Sequence, residues 1–352
     1  MNFKHTRFLI IRLSSIGDVL HATTVAHNLK LHEPDCHITW MVSPPASELL
    51  RHNPDIDELF VWNRNTFEKA LFSLDLPVIR KSLHELRLFF ARHSFDILLD
   101  IHCLLLTGII ARMSHVPRRI GIYERHEGNQ YFMTEHAPRI DDPHKIRRYL
   151  TVLQPLGIHT LDPHLILQLP PTANTFAEQF FSQHAVDLKK TILMVNIRTT
   201  WPDKNWPPAS FAAALSHLSE QIQVIFCGSA ADQIYITEAM DQMQRPALSI
   251  AGQTSLTELA AVFARSTLLL TGDTGPLYIA AAVNLPTLSL WGPTHPSVYG
   301  PLTGSHTFVL SPGDCTVCCK THCRHKTNAC MKAISPAIVA QKLDELLHLE
   351  NQ

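Results

Sequence analysis

The sequence of 352 residues lacks an excess of charge of either sign. Its 30 Lys and Arg stand against 31 Asp and Glu, for a net charge of -1. No global field favours a polyanion, so nucleic acid is not an expected partner. It also lacks a long apolar run. A bilayer-spanning helix needs roughly 18 or more nearly uninterrupted apolar residues. The longest apolar region, 97–113, is broken by Asp100, His102, Thr107 and Arg112. A secretory leader is missing as well. The short apolar run Phe8 to Leu13 contains Arg12 and lacks a small-residue cleavage site, so it reads as a first buried strand. The chain is therefore read as cytoplasmic, where thiols stay reduced. Finally, no Gly-x-Gly-x-x-Gly follows the first strand and no Walker loop occurs, which argues against a nicotinamide-linked dehydrogenase or a P-loop enzyme.

What is present is a chain long enough for two domains, with 45% hydrophobic residues to build their cores. The 22 histidines are scattered rather than spaced as metal pairs. Apolar runs alternate with amphipathic stretches. Strands are expected at Phe8–Leu13, His37–Val42, Glu58–Trp62, Phe95–Ile101 and Arg119–Ile122, and helices over Val19–Leu31, Val78–His93 and Asp141–Leu156. A Pro-rich stretch, Thr160 to Asn174, reads as a linker. A second series follows, with strands at Thr191–Ile197, Val224–Cys227, Leu248–Ala251, Leu268–Leu270 and Leu288–Trp291, and a last helix at Pro336–Leu347. Such alternation implies α/β domains with parallel sheets covered on both faces. Open sheets of that kind bind ligands at the carboxyl ends of their strands.

Four segments have the composition of a site. Gly272-Asp273-Thr274-Gly275-Pro276 joins a buried strand to an Ala-rich helix. A Gly-rich turn opening a helix presents free amides and the positive end of the helix dipole, a ready phosphate site. An ordinary strand–turn–helix has the same appearance. Ser14-Ser15-Ile16-Gly17-Asp18 follows the first strand. Its Asp18 is either a general base for a substrate hydroxyl or a helix-capping residue. The loop Thr199-Thr200-Trp201-Pro202-Asp203-Lys204 supplies two hydroxyls and a cation suited to phosphate oxygens, or else is a solvated loop with aromatic packing. Cys315, Cys318, Cys319, Cys323 and Cys330 lie in a loop rich in Lys, Arg and His. Such spacing can supply thiolates to structural zinc or iron; disulfides and reduced structural thiols are the alternatives.

In combination and in order, these segments resemble glycosyltransferase family 9, the ADP-heptose–lipopolysaccharide heptosyltransferases, in their heptosyltransferase II-like form. The likeness rests on Ile11 to Leu20, on Asp100-Ile101-His102 with Pro117 to Gly121, on the Thr199–Pro207 loop, on Gly272 to Pro276 through Gly292-Pro293-Thr294, and on the Cys315–Met331 pattern. The resemblance implies a GT-B fold of two Rossmann-like domains facing a cleft. Residues 1–165 would bind a lipid-linked glycan acceptor and residues 175–335 the nucleotide sugar. The helix of 336–352 would pack back on the first domain. It implies inverting transfer without a required cofactor, from ADP-heptose to the lipopolysaccharide inner core.

Carried over residue by residue, Asp18 is the base, and Lys204, Thr199 and Thr200 hold the phosphates. Thr274 and Gly275 stabilise the leaving charge, Asp232 reaches the ribose, and Thr254 lines the adenine pocket. Ser15, Gly17, His102, Asp273 and Tyr278 complete the substrate-binding set. A lipid-linked acceptor also implies peripheral contact with the inner membrane, through Lys145, Arg147 and Arg148 or through Arg118 and Arg119. The family usually has His where Tyr278 stands, three residues after the Gly of Asp-Thr-Gly. A phenol donates a hydrogen bond but carries no positive charge. Trp201 likewise replaces a residue that is polar or charged in many members. Both put the donor sugar in question, and leave open another nucleotide-activated sugar, a protein acceptor, or a nucleotide- or glycan-binding protein without turnover.

Overall fold

The computed structural model describes residues 3–124, 127–313, 315, 317–320 and 322–349. The chain divides into two units between Gln168 and Leu169. In the first, strands β1 (Arg7–Ile11), β2 (His37–Val42), β3 (Glu58–Val61), β4 (Ile97–Asp100), β5 (Arg118–Gly121) and β6 (Glu135–His136) form one parallel sheet in the order β3-β2-β1-β4-β5-β6. Helices α1 (Ile16–His32), α2 (Ser47–Leu50), α3 (Arg64–Ser73), α4 (Leu76–Arg92), α5 (Leu105–Met113) and α6 (Lys145–Leu150) belong to this unit. The central strands are apolar throughout because helices cover both faces. Leu9, Ile11, Leu98, Trp62, Phe89 and Ile110 share one core.

In the second unit β7 (Thr191–Asn196), β8 (Ile222–Cys227), β9 (Leu248–Ser249), β10 (Leu268–Gly272), β11 (Thr287–Trp291) and β12 (His306–Leu310) form a parallel sheet in the order β12-β11-β10-β7-β8-β9. Its helices include α7 (Pro171–Gln183), α8 (Pro208–Leu215), α9 (Gln233–Gln242), α10 (Leu256–Phe263), α11 (Gly275–Ala282), α12 (Pro296–Tyr299), α13 (Ala329–Lys332) and α14 (Pro336–Leu349). The two sheets share one winding. Each begins at a central strand, builds outward on one side, then returns to the other side of its first strand. The reversal leaves a crevice at the carboxyl ends, between β1 and β4 in the first unit and between β7 and β10 in the second.

The expected α/β class with two Rossmann-like sheets is the one found. Three details differ from the sequence reading. The helix expected over 141–156 begins only at Lys145, because Pro143 lacks an amide and Asp142 accepts from the His144 N–H at 2.8 Å. It gives way at Thr151 to a 3₁₀ turn containing Pro155. Strands β6 and β12 and helix α3 were not anticipated; the two strands are paired at sheet edges, where periodicity is a weak signal. Helix α14 buries Val339, Leu343 and Leu347 in the core of the second unit, packed on α8, where a return to the first domain was implied.

Among the described residues no helix is long and apolar enough to cross a membrane. Leu343 is fully buried. Leu343→Ala is therefore expected to cost about 2–5 kcal/mol of unfolding free energy, read by urea titration.

Candidate functional site

Strand β1 delivers Arg12 to the crevice of the first unit, and the turn into α1 delivers Asp18. Asp18 lies in the first turn of α1, but it does not cap the helix. The N-cap is Ser15, whose hydroxyl instead donates to Asp18 Oδ2 at 3.0 Å. Arg12 Nη2 lies 2.7 Å from the same oxygen. Tyr149, on α6 and 131 residues away, donates its hydroxyl to Asp18 Oδ1 at 2.6 Å. Burial by itself pushes the Asp18 carboxyl up, but the Arg12 guanidinium and the Tyr149 hydroxyl outweigh it and hold the group well below the usual carboxylate range. Burial also pushes the Tyr149 phenol well up, so it stays a donor. Arg12 is anchored in turn by the Ile101 carbonyl at 2.9 Å, across the switch point at the end of β4.

His102 follows the same strand. Its amide and that of Cys103 donate to Asp100 Oδ1, which fixes the turn. Burial, then the charges of Arg12 and Arg64, push the imidazole well below its ordinary value. His102 is thus neutral. Its Nε2 accepts from Arg64 Nη1 at 2.8 Å, which leaves the proton on Nδ1, buried and without a hydrogen-bond partner among the described residues. Arg64, at the start of α3, also donates to Ser14 Oγ at 3.2 Å. The carboxyl edge of this sheet therefore presents an ionised carboxylate beside two guanidiniums and a neutral imidazole. Gly17 is buried in the first turn of α1. The first unit also has a pocket of about 270 Å³ lined by Glu124, Arg139, Asp142 and Arg148 among others, none of them in the Asp18 cluster.

The second crevice is organised by Asp273, directly after β10. Lys204 Nζ lies 2.5 Å from its Oδ2, and Thr294 Oγ1 donates to the same oxygen at 2.7 Å. Tyr278, on α11, donates to Oδ1 at 2.5 Å. Asp273 is thus surrounded by donors and holds Lys204 in place. The Lys204 ammonium also sits 4.1 Å from the Trp201 ring centroid and 5.9 Å from that of Tyr299. Gly272 has no room for a side chain, since a Cβ would stand 2.9 Å from Thr199 Cγ2. The Thr274 side chain does not cap α11, and among the described residues no side chain bonds the Gly275 amide at the start of the helix.

The remaining sequence candidates separate. Thr199 is used within its own loop: its amide donates to Asn205 Oδ1 at 2.7 Å and its hydroxyl to the Trp201 carbonyl at 2.8 Å. Thr200 is exposed and Thr254 half-buried. Asp232 closes the turn after β8 by accepting from the Ser229 amide and hydroxyl, with Arg198 Nε at 4.0 Å. Arg198 stacks on Tyr235, 3.8 Å from its centroid.

Four of the five cysteines lie near one another: the charges of Cys315, Cys318 and Cys323 all act on the Cys330 thiol, after its burial, to push it up. Cys330 is buried beneath Gly292 while Cys315, Cys318 and Cys319 are exposed, and among the described residues no three His, Cys, Asp or Glu side chains group as metal ligands.

The basic residues expected at a membrane are paired within the protein. Arg118 forks onto Glu135, Arg119 donates to the Phe132 and Val116 carbonyls, Lys145 and Arg148 meet Glu124, and Arg147 meets Asp142. Sequence reasoning gave no role to Arg12, Arg64, Tyr149 or Thr294. Arg12 carried a signal, being a charge inside a buried strand; Tyr149 carried none.

Residues 83–329 match the family described as glycosyltransferase family 9 (heptosyltransferase). The chain is 26% identical over 252 residues to the lipopolysaccharide core heptosyltransferase OpsX of Haemophilus influenzae, covering 70% of this chain and 67% of that one. It is 25% identical to lipopolysaccharide heptosyltransferase 3 of Escherichia coli K12, covering 68% of each. The crystal structure of a family 9 glycosyltransferase from Veillonella parvula superposes with a TM-score of 0.86 at 24% identity, over 99% of this chain and 98% of that one. That of the E. coli ADP-heptose lipopolysaccharide heptosyltransferase II gives 0.77 at 20% identity, over 99% and 100%. The structural likenesses establish the shared fold.

Two measurements test the electrostatics. Tyr149→Phe removes a hydrogen bond to a charged group and is expected to cost about 1.5–3 kcal/mol at neutral pH. A carboxylate held below its unfolded value stabilises the fold above that value, about 3.9, and loses the contribution as pH falls through the lower folded one. The gap between wild type and variant should therefore be full at pH 7 and shrink below about pH 4, in urea titrations at both ends. Asp273→Ala strands the buried Lys204 ammonium and is expected to cost about 3–5 kcal/mol, most of it recovered in Lys204→Met/Asp273→Leu.

Proposed function

The chain belongs to glycosyltransferase family 9, and from that premise we propose that it transfers heptose from ADP-heptose to a sugar hydroxyl of the lipopolysaccharide inner core, with inversion. The observation that carries this reading is Asp18, an ionised carboxylate at the switch point of the first sheet, held by Arg12 and Tyr149. The acceptor hydroxyl oxygen attacks the anomeric carbon, the bond from that carbon to ADP breaks, and Asp18 takes the hydroxyl proton. With its pKa held low, Asp18 is a weak base. It accepts the proton only as the new C–O bond forms and the hydroxyl becomes acidic. Arg64, part-exposed beside its partner Glu68, is the donor suited to the anionic groups of such an acceptor.

The second unit supplies the donor side. Lys204 has three N–H donors; one serves Asp273, and the others are suited to the diphosphate. The α11 N-terminus at Thr274 and Gly275 adds the helix dipole where negative charge grows on the leaving ADP. This reading assigns no cofactor. Asp273 acts by holding Lys204, and Tyr278 by holding Asp273. Thr200 faces the phosphates, while Asp232 and Thr254 line the nucleoside end. The Tyr278–Asp273 bond favours a second reading, transfer of a different nucleotide-activated sugar, because a phenol replaces an imidazole beside the carboxylate.

The test is release of ADP from ADP-heptose by the purified protein, with and without heptose-deficient lipopolysaccharide. Acceptor-dependent release is expected. In Asp18→Asn the turnover number should fall about 10²–10⁴-fold with ADP affinity kept. Unchanged turnover in that variant would sink the base assignment. Tight ADP binding without release points to another donor sugar.

A further inference from the structure

Helices α3 and α4 form a hairpin whose tip, residues 71–76, is exposed throughout, although Phe67 and Ala70 before it are buried. Leu71, Phe72, Leu74 and Leu76 fall within six residues and are 44, 91, 77 and 55% exposed. Single exposed apolar residues are ordinary, but a contiguous group is not. Leu74 is also in the left-handed conformation that caps α3, with φ 55°. Gly or Asn takes that conformation at low cost and leucine does not. Neither the backbone nor the core asks for leucine here, so its apolar side chain is there for the surface.

The hairpin register shows where the tip points. Alongside β3, Glu58 meets His93, Phe60 stacks on Phe89 at 3.9 Å, and Trp62 Nε1 donates to the Ser82 carbonyl. Helix α4 thus runs antiparallel to β3 and reaches the carboxyl edge of the sheet at Ser82. Leu76 lies six residues further out, about 9 Å beyond that edge at 1.5 Å per residue. This is the edge that carries Asp18, Arg12 and His102. Arg64, at the other end of α3, touches His102 and Ser14.

The charges around the tip are predominantly positive. Lys69, Arg80 and Lys81 are exposed and make no ion pair among the described residues. Of the nearby acids, Glu68 pairs with Arg64 and Asp75 caps α4 by accepting from the Val78 amide; Glu85 lies farther along α4. An exposed apolar tip flanked by three unpaired cations against the single carboxylate of Asp75 has the chemistry of a surface that inserts at the boundary of an anionic bilayer. A groove for a peptide would be concave instead.

We propose that the α3–α4 tip, Leu71 to Leu76 with Lys69, Arg80 and Lys81, docks the protein on anionic lipid and so presents the carboxyl edge of the first sheet to a lipid-linked acceptor. The inference rests on the heptosyltransferase reading only for the identity of that acceptor.

The experiment is co-sedimentation of the full chain with vesicles of phosphatidylethanolamine and phosphatidylglycerol, and with pure phosphatidylcholine. It needs neither donor nor acceptor, so its outcome is independent of turnover. Binding to the anionic vesicles is expected, weakened by salt. Phe72→Ser/Leu74→Asn should reduce it about tenfold or more, with thermal stability kept because Asn suits the left-handed cap. Lys69→Gln/Lys81→Gln should reduce it several-fold and remove most of the salt dependence. Transfer to a deacylated acceptor should be unchanged in both variants, while transfer to acceptor embedded in vesicles falls. Absence of vesicle binding, or binding that survives Phe72→Ser/Leu74→Asn, overturns the proposal. So does a dimer, seen by analytical ultracentrifugation, that this variant dissociates without affecting vesicle binding, since the tip is then an interface between copies.

Discussion

Each sheet places a carboxylate at its switch point, and each carboxylate is held by one cation and one tyrosine hydroxyl. Asp18 has Arg12 and Tyr149; Asp273 has Lys204 and Tyr278, with Thr294 as a further donor. A charge this buried persists only if it is paired and its lone pairs are filled. Much of the local architecture meets that requirement. The Arg12 guanidinium is fixed by the end of β4, α6 is placed so that Tyr149 reaches the first turn of α1, and the loop after β7 folds so that Lys204 reaches the residue after β10. The same pairing that stabilises the carboxylates also sets what they do. Asp18 is ionised and part-exposed, whereas Asp273 is enclosed and bonded to the lysine it holds.

That difference assigns separate work to two aspartates that look alike in the sequence. Asp18 keeps part of its side chain exposed, 27%, beside groups able to bind anions. Asp273 is 6% exposed and ringed by donors. A residue in the first position can exchange a proton with a substrate hydroxyl. One in the second fixes the position of a cation. Tyr278 belongs to this second assembly: its hydroxyl is committed to Asp273, so replacing an imidazole by a phenol alters the pairing of the carboxylate before it alters any contact to a sugar.

The first unit also links its crevice to its surface through one short element. Helix α3 starts at the Arg64–His102–Ser14 cluster and ends at the exposed apolar tip. The basic residues that the family resemblance put forward for a membrane each have a partner within the fold, Arg147 remaining 58% exposed. Arg118 and Glu135 tie β5 to β6, and Lys145 and Arg148 hold Glu124 under α6. A basic residue in a sequence has no sign attached to say whether its partner is a headgroup or a glutamate. Only the fold supplies the partner.

The sequence by itself determined the α/β class, the two-unit division, and the strand–turn–helix junctions that carry Asp18, Lys204 and Asp273. These depend on local periodicity, on Gly and Pro at turns and on the order of motifs, all of which are written along the chain. Tertiary structure alone decided which side chains meet. Tyr149 reaches Asp18 across 131 residues, Lys204 reaches Asp273 across 69, and Thr294 reaches it across 21. It also decided that the Thr199 amide and hydroxyl bond within their own loop, that Asp232 accepts from Ser229, and that α14 joins the second core. Parallel sheets are the physical reason. Each crossover carries the chain away and back before the next strand is laid down, so the groups converging at a switch point come from distant segments. No local pattern records their meeting.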